Sequence, residues 1–273
     1  MEKYSVLMSL YIKEKPEYLD VAIKSITDQT LKPNEIVIVK DGPITIELQN
    51  ILEKYIKEYP NLFNIVGYKE NKGLGYALNF GLEHCKNDLV ARMDTDDISK
   101  LYRCEKQIKK FKEKPELSIV GAWVDEFYTS PEGIVSTRKV PINSKEIYKF
   151  AKRRSAFNHP VVMYRKKEVL KQGGYNNLLR RNQDVDLFGR MLFSGNKAEN
   201  IAESLLYFRS NNDLAKRRKS WENTKSYINT IRKFWKMGYS SFSDFLIVSI
   251  AQLVMYILPL KLQHLVYKKF LRR

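Results

Sequence analysis

Short apolar runs alternate with amphipathic helical patterns through the first half of the chain, and this alternation restricts the fold more than any other feature. Strand-like runs occupy residues 6–10, 35–39, 63–68 and 88–93. Helical spacing of apolar residues follows over residues 16–26, 48–56, 75–85 and 98–113. Because strands separated by helices need crossover connections, the pattern predicts an α/β domain with a mainly parallel sheet flanked by helices on both faces.

The second half of the chain has a different pattern. Two runs at residues 118–128 and 133–140 flank a Ser-Pro-Glu-Gly turn and predict a hairpin. Residues 159–175 predict a strand and then a helix that ends at two glycines. Residues 184–195 predict a helix with acids in its first turn, and residues 199–209 predict a late strand.

Length and cysteine content exclude several classes of protein. The 273 residues are 44% hydrophobic and contain no Gly-, Ser- or Pro-rich linker, which suits one large domain with an appendage. Cys85 and Cys104 have neither CxxC nor Cys/His spacing, so no zinc site or disulfide scaffold is expected and a reducing cytoplasm fits. The first apolar run is short and is followed at once by charged residues, which predicts a buried strand rather than a signal peptide.

The chain is strongly basic, with 48 Lys and Arg against 31 Asp and Glu and a net charge of +17. Such a charge suits nucleic acid, an anionic lipid surface or phosphorylated substrates. Basic residues cluster late, at residues 216–219 and 268–273. Because these clusters accompany an apolar segment, they favour lipid over nucleic acid; a solvated lysine-rich surface remains the alternative.

Polar residues follow each predicted strand of the first half. They are Tyr11, Asp41, the loop of residues 69–74, and residues 94–97. Ligands of parallel α/β sheets bind beyond the carboxyl ends of the strands, so these residues predict the position of a binding site.

The stretch ARMDTDD places Asp94, Asp96 and Asp97 within four positions of a basic chain. Crowded carboxylates become favourable around a divalent cation, and Mg²⁺ is typically held by one or two carboxylates together with substrate phosphates. The alternative is that Asp97 or Ser99 caps a helix starting at Ile98, which explains one acid but not three.

Asp41 and the following loop each have two interpretations. Asp41 could begin a turn by bonding its own backbone, or accept hydrogen bonds from a nucleobase or ribose. Gly73 and Gly75 stand at a helix entrance, where backbone amides could face an anion or form a plain turn. The loop matches neither GxGxxG nor a P-loop.

Seven segments in one order resemble family 2 glycosyltransferases of the GT-A fold. They are SVLMSLY before Pro16, SITDQTLKPNEIVIVKDGP, NKGLGYALNFGL, ARMDTDDIS, RCEKQ, FNHPVVMYRK and QDVDLFGR. The set is most similar to bacterial enzymes of capsule, exopolysaccharide and O-antigen assembly, the amylovoran-type branch. The resemblance covers about residues 3–210. It implies a Rossmann-like GT-A domain over residues 1–210, with a nucleotide-binding half to about residue 100 and an acceptor half beyond.

The resemblance also implies an activity and a donor site. Such enzymes use a nucleotide-diphospho-sugar, often UDP-linked, and invert the anomeric centre. Asp41 matches the acid that contacts the nucleobase, Leu10 and Tyr11 match residues lining that pocket, and Lys72 matches a loop position near the nucleotide.

The implied catalytic residues are acids. Asp94 and Asp96 match the DxD motif, in which the second acid holds Mn²⁺ or Mg²⁺ against the diphosphate. Asp184 matches the catalytic base, which takes the proton of the attacking hydroxyl. The acid that normally precedes the base is replaced by Gln183, and Asp186 is the competing assignment for the base.

Three further residues are candidates with structural alternatives. His159, beside Pro160, could face the acceptor or the metal, or be structural. Arg103 and Arg165 could contact phosphate or order the site, or form ion pairs that hold the scaffold.

The end of the chain predicts attachment to a membrane surface. Residues 245–258 are almost wholly apolar, but they are too few for a spanning helix, which needs about 20 residues. Residues 260–273 place apolar and basic residues at helical spacing. The helical region 211–273 is therefore expected to lie on an anionic leaflet at the cytoplasmic face, where a lipid-linked acceptor would be found. Packing on the catalytic domain, or a homodimer, is the alternative.

Two rival functions differ in what they require. A nucleotidyltransferase would need a basic, glycine-containing phosphate loop after the first strand, and SLYIKEKP contains no glycine. A nucleic-acid-binding protein would leave the Asp cluster unexplained, because carboxylates repel phosphates unless metal intervenes. Nucleic acid is therefore not expected as a partner.

Overall fold

The computed structural model describes residues 2–210, 219–259 and residue 262. The strands are β1 Tyr4–Leu10, β2 Glu35–Asp41, β3 Phe63–Tyr68, β4 Leu89–Met93, β5 Ile98–Ser99, β6 Leu117–Phe127, β7 Ile134–Arg138, β8 Met163–Arg165 and β9 Lys197–Arg209. The helices are α1 Pro16–Thr27, α2 Ile46–Glu58, α3 Leu74–His84, α4 Arg103–Glu113, α5 Ser144–Ala151, α6 Lys166–Lys171, α7 Gln183–Phe193, α8 Trp221–Lys236 and α9 Phe242–Ile257, with a 3₁₀ turn at His159–Val161.

One mixed sheet runs through the domain in the order β3-β2-β1-β4-β8-β6-β9-β5, and β7 pairs with β6. The first four strands are parallel, whereas β8 is antiparallel to both of its neighbours and β9 is parallel to β6. The predicted α/β class is confirmed. The parallel character belongs to the first half, and the predicted hairpin is β6–β7.

Helices cover both faces of the sheet, and each face has its own apolar core. Val6 and Met8 of β1 pack with α1, α2 and α4, while Leu7 between them packs with α3 and α7. Successive side chains of a strand point to opposite faces, so a strand buried on both sides reads as one continuous apolar run. The apolar runs seen in the sequence have this cause.

The helix predicted over residues 98–113 begins later than expected. Ile98 and Ser99 form β5, which pairs antiparallel with Tyr207 and Leu206 of β9, and α4 starts at Arg103. Pairing with a distant strand satisfies backbone groups that the sequence pattern assigned to a helical turn. Tyr102 precedes α4 without a side-chain cap, so the interpretation of Asp97 or Ser99 as a helix cap was wrong.

Helix α8 packs into the second core rather than apart from it. Its Ile231 and Phe234 are fully buried among residues of α3 and α7. A Cβ atom at Gly189 of α7 would lie 2.0 Å from the Phe234 ring, so this close approach needs glycine. The domain boundary expected near residue 210 stays a prediction, and α8 adds to the same core as the sheet.

Helix α9 has one packed and one exposed face. Ser241 and Asp244 form a capping box at its start, and Asp244 and Val248 face the domain. Within the part of the chain described by the structure, no helix combines the length and apolarity needed to cross a membrane. The second predicted amphipathic segment, residues 260–273, lies outside the described residues except for residue 262.

Candidate functional site

The carboxyl ends of β1, β2 and β4 open onto a cavity of about 1530 Å³. Residues from the second half of the chain close its other side, among them the 3₁₀ turn and the start of α7. Of the residues predicted from the sequence, the following line it: Tyr11, Asp41, Asp94, Asp96, His159 and Asp184. Residues up to 173 positions apart in sequence, Tyr11 and Asp184, are thus brought to one site. The three that follow β1, β2 and β4 lie where ligands of parallel α/β sheets bind.

The three acids after β4 form a compact cluster. Carboxylate oxygens of Asp94, Asp96 and Asp97 all lie within 4.8 Å of one another. Asp94 receives two hydrogen bonds from the guanidinium of Arg92, one of 2.8 Å, and Arg92 is itself buried. One guanidinium faces three carboxylates, so the cluster keeps an excess of negative charge.

This excess of negative charge contributes to raised pKa values in the cluster. Burial, with the charges of Asp94 and Glu14, raises the pKa of Asp96 to about 7. Burial and the neighbouring acids also raise the pKa of Asp97 well above its usual value. One oxygen of Asp97 is buried without a hydrogen-bond partner. Crowded acids that resist ionisation and a spare buried oxygen are what a divalent cation would relieve, so the residues fit such an ion.

Arg209 at the end of β9 holds this cluster in place. Its backbone N–H donates to Asp97 (2.8 Å) and its Nε donates to the carbonyl of Asp96 (2.9 Å). Its guanidinium lies over the rings of Tyr18 and Phe127, 3.8 and 4.6 Å from their centroids. Asp97 therefore links the cluster to the last strand, β9. This is its structural role, in place of the helix cap considered from the sequence.

Asp41 at the end of β2 organises the loop before α3. Its carboxylate accepts hydrogen bonds from the backbone N–H groups of Lys72 and Gly73, from Tyr68 Oη and from Asn71 Nδ2. Gly73 has φ +89°, a left-handed conformation that glycine adopts without strain. The loop amides thus face Asp41, a protein carboxylate, at the entrance of α3.

The other residues predicted for nucleotide binding differ in their exposure. Tyr11 is exposed to the cavity, whereas Leu10 is fully buried in the first core. The Lys72 side chain is exposed and lies over the rings of Tyr68 and Tyr76, 5.5 and 4.6 Å from their centroids. The predicted roles of Leu10, Tyr11, Asp41 and Lys72 toward a nucleotide remain predictions.

The structure separates the two candidates for the catalytic base. Asp184, in the first turn of α7, lines the cavity, and burial raises the pKa of its carboxyl. Asp186 is fully buried away from the cavity and pairs with Arg190 at 2.8 Å and Lys233 at 2.5 Å. Asp186 therefore joins α7 to α8. Of the two candidates, only Asp184 lines the cavity, and its role as the base stays a prediction.

His159 faces the cavity but is not part of the acidic cluster. Its Nε2 lies 3.0 Å from the hydroxyl of Tyr175. Burial and the nearby Arg92 guanidinium lower the pKa of His159 well below its usual value, which keeps the imidazole neutral. Among the residues that the structure describes, the group able to hold a metal contains three aspartates and no histidine.

The two predicted arginines serve the scaffold. Arg103 is fully buried, and its Nη2 donates to the carbonyl of Arg92 at 2.6 Å. Arg165 donates to the carbonyls of Leu117 and Pro115 and lies 3.5 Å from Asp88. Neither lines the cavity. Both positions therefore fit the structural interpretation, in which these arginines hold the scaffold, rather than contact with phosphate.

Sequence reasoning missed Arg92, Glu14 and Arg209. Glu14 accepts a hydrogen bond of 2.5 Å from Thr95 beside the acidic cluster. A charged residue inside the otherwise apolar strand LVARM could have drawn attention to Arg92, because an arginine is almost never fully buried without a partner. Arg209 carries no comparable signal, since only the pairing of β9 with β5 brings it beside the residues that follow β4.

A family model described as Glycosyl transferase family 2 matches residues 5–174, more than half of the chain. A mixed α/β sheet with an acidic cluster after its fourth strand agrees with that match. The chain belongs to glycosyltransferase family 2 and is a glycosyltransferase, as the ordered motifs predict.

Particular relatives extend the similarity over the full length. UDP-Gal:alpha-D-GlcNAc-diphosphoundecaprenol beta-1,3-galactosyltransferase of Escherichia coli is 37% identical over 99% of this chain and 97% of its own. Amylovoran biosynthesis glycosyltransferase AmsE of Erwinia amylovora is 35% identical over 97% of this chain and 98% of its own.

A solved structure shares the fold. The mannosyltransferase PcManGT from Pyrobaculum calidifontis, in complex with GDP-Man and Mn²⁺, superposes with a TM-score of 0.65 at 14% identity. The match covers 97% of this chain and 79% of that one. At this identity the similarity concerns the fold alone, which confirms the predicted GT-A class.

Proposed function

We propose that this glycosyltransferase is metal-dependent and inverting, and moves a sugar from a UDP-linked donor to a hydroxyl of a lipid-linked glycan. The observation that carries the proposal is that one cavity holds both the acidic cluster and Asp184. The first feature suits a donor diphosphate and the second suits an acceptor hydroxyl. A transferase needs both in the same space.

The residues divide the chemistry between them. Asp94 and Asp96 would hold Mn²⁺ or Mg²⁺, which when bound stabilises the departing diphosphate as a Lewis acid. Arg92 orients Asp94 through its hydrogen bonds, and Arg209 fixes the backbone of the cluster. Asp184 accepts the proton of the attacking hydroxyl, and its raised pKa makes it a better proton acceptor than an ordinary aspartate.

Relatives support the identity of the substrates. The Escherichia coli relative takes its name from a UDP-galactose donor and a GlcNAc-diphosphoundecaprenol acceptor, and AmsE is named for amylovoran biosynthesis. We therefore assign this chain a UDP-sugar and a diphospho-lipid-linked acceptor in the assembly of a bacterial surface polysaccharide such as a capsule.

The proposal includes attachment to the cytoplasmic face of the membrane. Large apolar side chains cover the outer face of α9, including Phe242, Leu246, Ile247, Ile250 and Ile257, which are all about half or more exposed. A lipid-linked acceptor lies in the same plane, so an anionic leaflet is the partner that accounts for both the apolar helix and the basic chain. A homodimer through α9 is the competing occupant.

A donor screen tests the proposal. The full chain is heated with UDP-, GDP- and TDP-sugars, each with Mn²⁺ and with EDTA, and the melting temperature is measured. We expect stabilisation by a UDP-sugar only with the metal, because a ligand at a hundred times its Kd adds about 2.7 kcal/mol to stability. In Asp96→Ala this metal-dependent stabilisation should disappear.

Asp88→Ala provides the matched control, because Asp88 lies outside the cavity and should leave the shift intact. Full stabilisation of Asp96→Ala by donor and Mn²⁺ would refute the metal assignment. Release of pyrophosphate from a nucleoside triphosphate and a sugar phosphate would instead establish the rival nucleotidyltransferase.

A further inference from the structure

We propose that Arg180 and Arg181, at the entrance to α7, bind the diphosphate of the lipid-linked acceptor. The inference rests on the proposed function and names a second anion site in the same cavity. It is separate from the acidic cluster assigned to the donor. The argument depends on which cations of the cavity are already engaged, and on the distance of these two arginines from Asp184.

The cavity is lined by many cations, but several already have protein partners. Those on its wall are Lys13, Lys15, Arg92, Arg138, Lys139, Arg154, Arg180, Arg181 and Arg209. Arg92 pairs with Asp94 and Arg138 with Glu126. Arg209 donates to the backbone carbonyl of Asp96 and lies over two aromatic rings. These three side chains stabilise the walls of the site. They could bind a ligand only by giving up those contacts.

Arg180 and Arg181 differ in this respect. Within residues 2–210 and 219–259, neither guanidinium has an ion pair or a hydrogen bond to the protein. The Nε of Arg181 is nevertheless buried and without a partner. A buried N–H that stays unpaired is destabilising, more so when it is charged, so such a group indicates an absent hydrogen-bond acceptor. Both side chains line the cavity, where an anion would supply the missing hydrogen-bond acceptor.

The segment that carries these arginines is held in a fixed position. Ser226 of α8 donates to the carbonyl of Arg181 at 2.8 Å. Asn182 has φ +59° and directs its amide toward Asn223 of α8, 3.4 Å away. A site whose backbone is fixed before binding loses less entropy on binding its ligand. Helix α8 therefore has a function beyond the core, since it positions the anion site.

The distance from Asp184 identifies the anion. Arg181 is three residues before Asp184, so their Cα atoms lie within about 11 Å of each other. In a monosaccharide joined to a diphospho-lipid, only one sugar ring separates the attacking hydroxyl from the first phosphate. A hydroxyl at Asp184 therefore brings the acceptor diphosphate near this segment. Guanidinium groups bind phosphate directly, whereas the aspartates need a cation between them and the donor.

The test compares two acceptors that share a sugar and differ in the diphosphate. One is N-acetylglucosaminyl diphosphate on a short alkyl chain, and the other is the uncharged alkyl N-acetylglucosaminide. In Arg180→Gln/Arg181→Gln we expect KM for the diphosphate acceptor to rise about tenfold or more, the usual effect of losing charged hydrogen bonds. Turnover of the uncharged acceptor and KM for the UDP-sugar should stay as in the unchanged chain.

Arg232→Gln is the matched control, since Arg232 is an exposed arginine of α8 that does not line the cavity. Equal losses on both acceptors would overturn the proposal and indicate a structural role. A raised KM for the donor would overturn it as well, by placing the arginines on the donor diphosphate. An unchanged KM for the diphosphate acceptor would also refute it.

A binding measurement separates this proposal from the proposed function. In EDTA, where a metal cannot bridge phosphate to the aspartates, the diphosphate acceptor should still raise the melting temperature of the full chain and not that of the double variant. If this holds while no donor is ever transferred, the anion site stands and the proposed function fails. If transfer occurs but the acceptor stabilises both proteins equally, the anion site fails and the function stands.

Discussion

Two aspartates in one helical turn show how position alone separates a residue that lines the cavity from a structural one. Asp184 and Asp186 both follow Gln183 in the first turn of α7. Residues two apart on a helix point in different directions, so one faces the cavity and the other faces α8. The ion pairs of Asp186 with Arg190 and Lys233 keep it engaged, whereas Asp184 has no such partner among the described ion pairs.

The first prediction concerns Asp184→Asn. We expect kcat to fall about 10²–10⁴-fold, because that is the usual contribution of a general base. Stabilisation by UDP-sugar and Mn²⁺ should remain, since Asp184 is not part of the acidic cluster. Steady-state kinetics and melting temperatures measure the two effects.

Two comparisons sharpen this prediction. Asp186→Asn should lower the melting temperature, because it weakens two ion pairs of a fully buried carboxylate, while kcat of the folded protein stays measurable. Glu222 also reaches the cavity from α8. If Glu222→Gln loses turnover and Asp184→Asn retains it, the base has been misassigned.

At the scale of an element, helix α9 has two faces of different character. Its inner stripe carries Asp244, which pairs with Arg153, and Val248. Its outer face is apolar over four turns, and Trp221 of α8 meets Tyr256 at its far end, with ring centroids 5.5 Å apart. Exposed Trp and Tyr are typical of the boundary between lipid and water. The helix is thus anchored to the domain and apolar toward its surroundings.

A substitution on the outer face tests membrane attachment. Ile250→Asp should reduce flotation of the full chain with anionic vesicles by about tenfold or more, because a buried isoleucine contributes about 1.5–3 kcal/mol. Turnover of a short-chain, water-soluble acceptor should not change, because Ile250 is remote from the cavity lining.

Ile46→Asp is the control, since Ile46 is 66% exposed on α2. It should leave flotation unchanged. If Ile250→Asp converts a dimer to a monomer in analytical ultracentrifugation without altering flotation, the outer face binds a second copy of the chain and not lipid.

At the scale of the whole molecule, charge is distributed unevenly. The net charge is +17, yet the cavity floor concentrates carboxylates. On the proposed function, a basic surface would steer anionic substrates and lipid headgroups toward the protein, while the acidic cluster would bind a diphosphate that arrives with a cation.

This distribution predicts how association depends on salt. Binding of the full chain to anionic vesicles should weaken strongly between about 0.1 M and about 1 M salt, because the Debye length falls from about 10 Å to about 3 Å. Binding to uncharged vesicles should change little, since apolar contact alone carries it. Co-sedimentation measures both. Tight, salt-sensitive retention of DNA without vesicle binding would support the rival nucleic-acid-binding protein.

The sequence by itself determined the α/β class, the succession of strands and helices along the first half of the chain, and the place of the acidic cluster after the fourth strand. These features are local: a strand buried on both faces must be apolar along its length, and a ligand-binding loop must follow it. The ordered motifs also narrowed the candidates for the base to Asp184 and Asp186, of which Asp184 lines the cavity. The hairpin β6–β7 and the glycine stop after α6 were predicted for the same local reason.

Only the tertiary structure decided what depends on distant partners. Ile98 and Ser99 became a strand because β9 lies beside them, and Asp97 became a tie to Arg209 instead of a helix cap. Arg103 and Arg165 bond carbonyls of the scaffold, and Arg181 stands unpaired at the cavity. Burial and pairing are set by residues far away in sequence, and with them the raised pKa values of Asp96, Asp97 and Asp184.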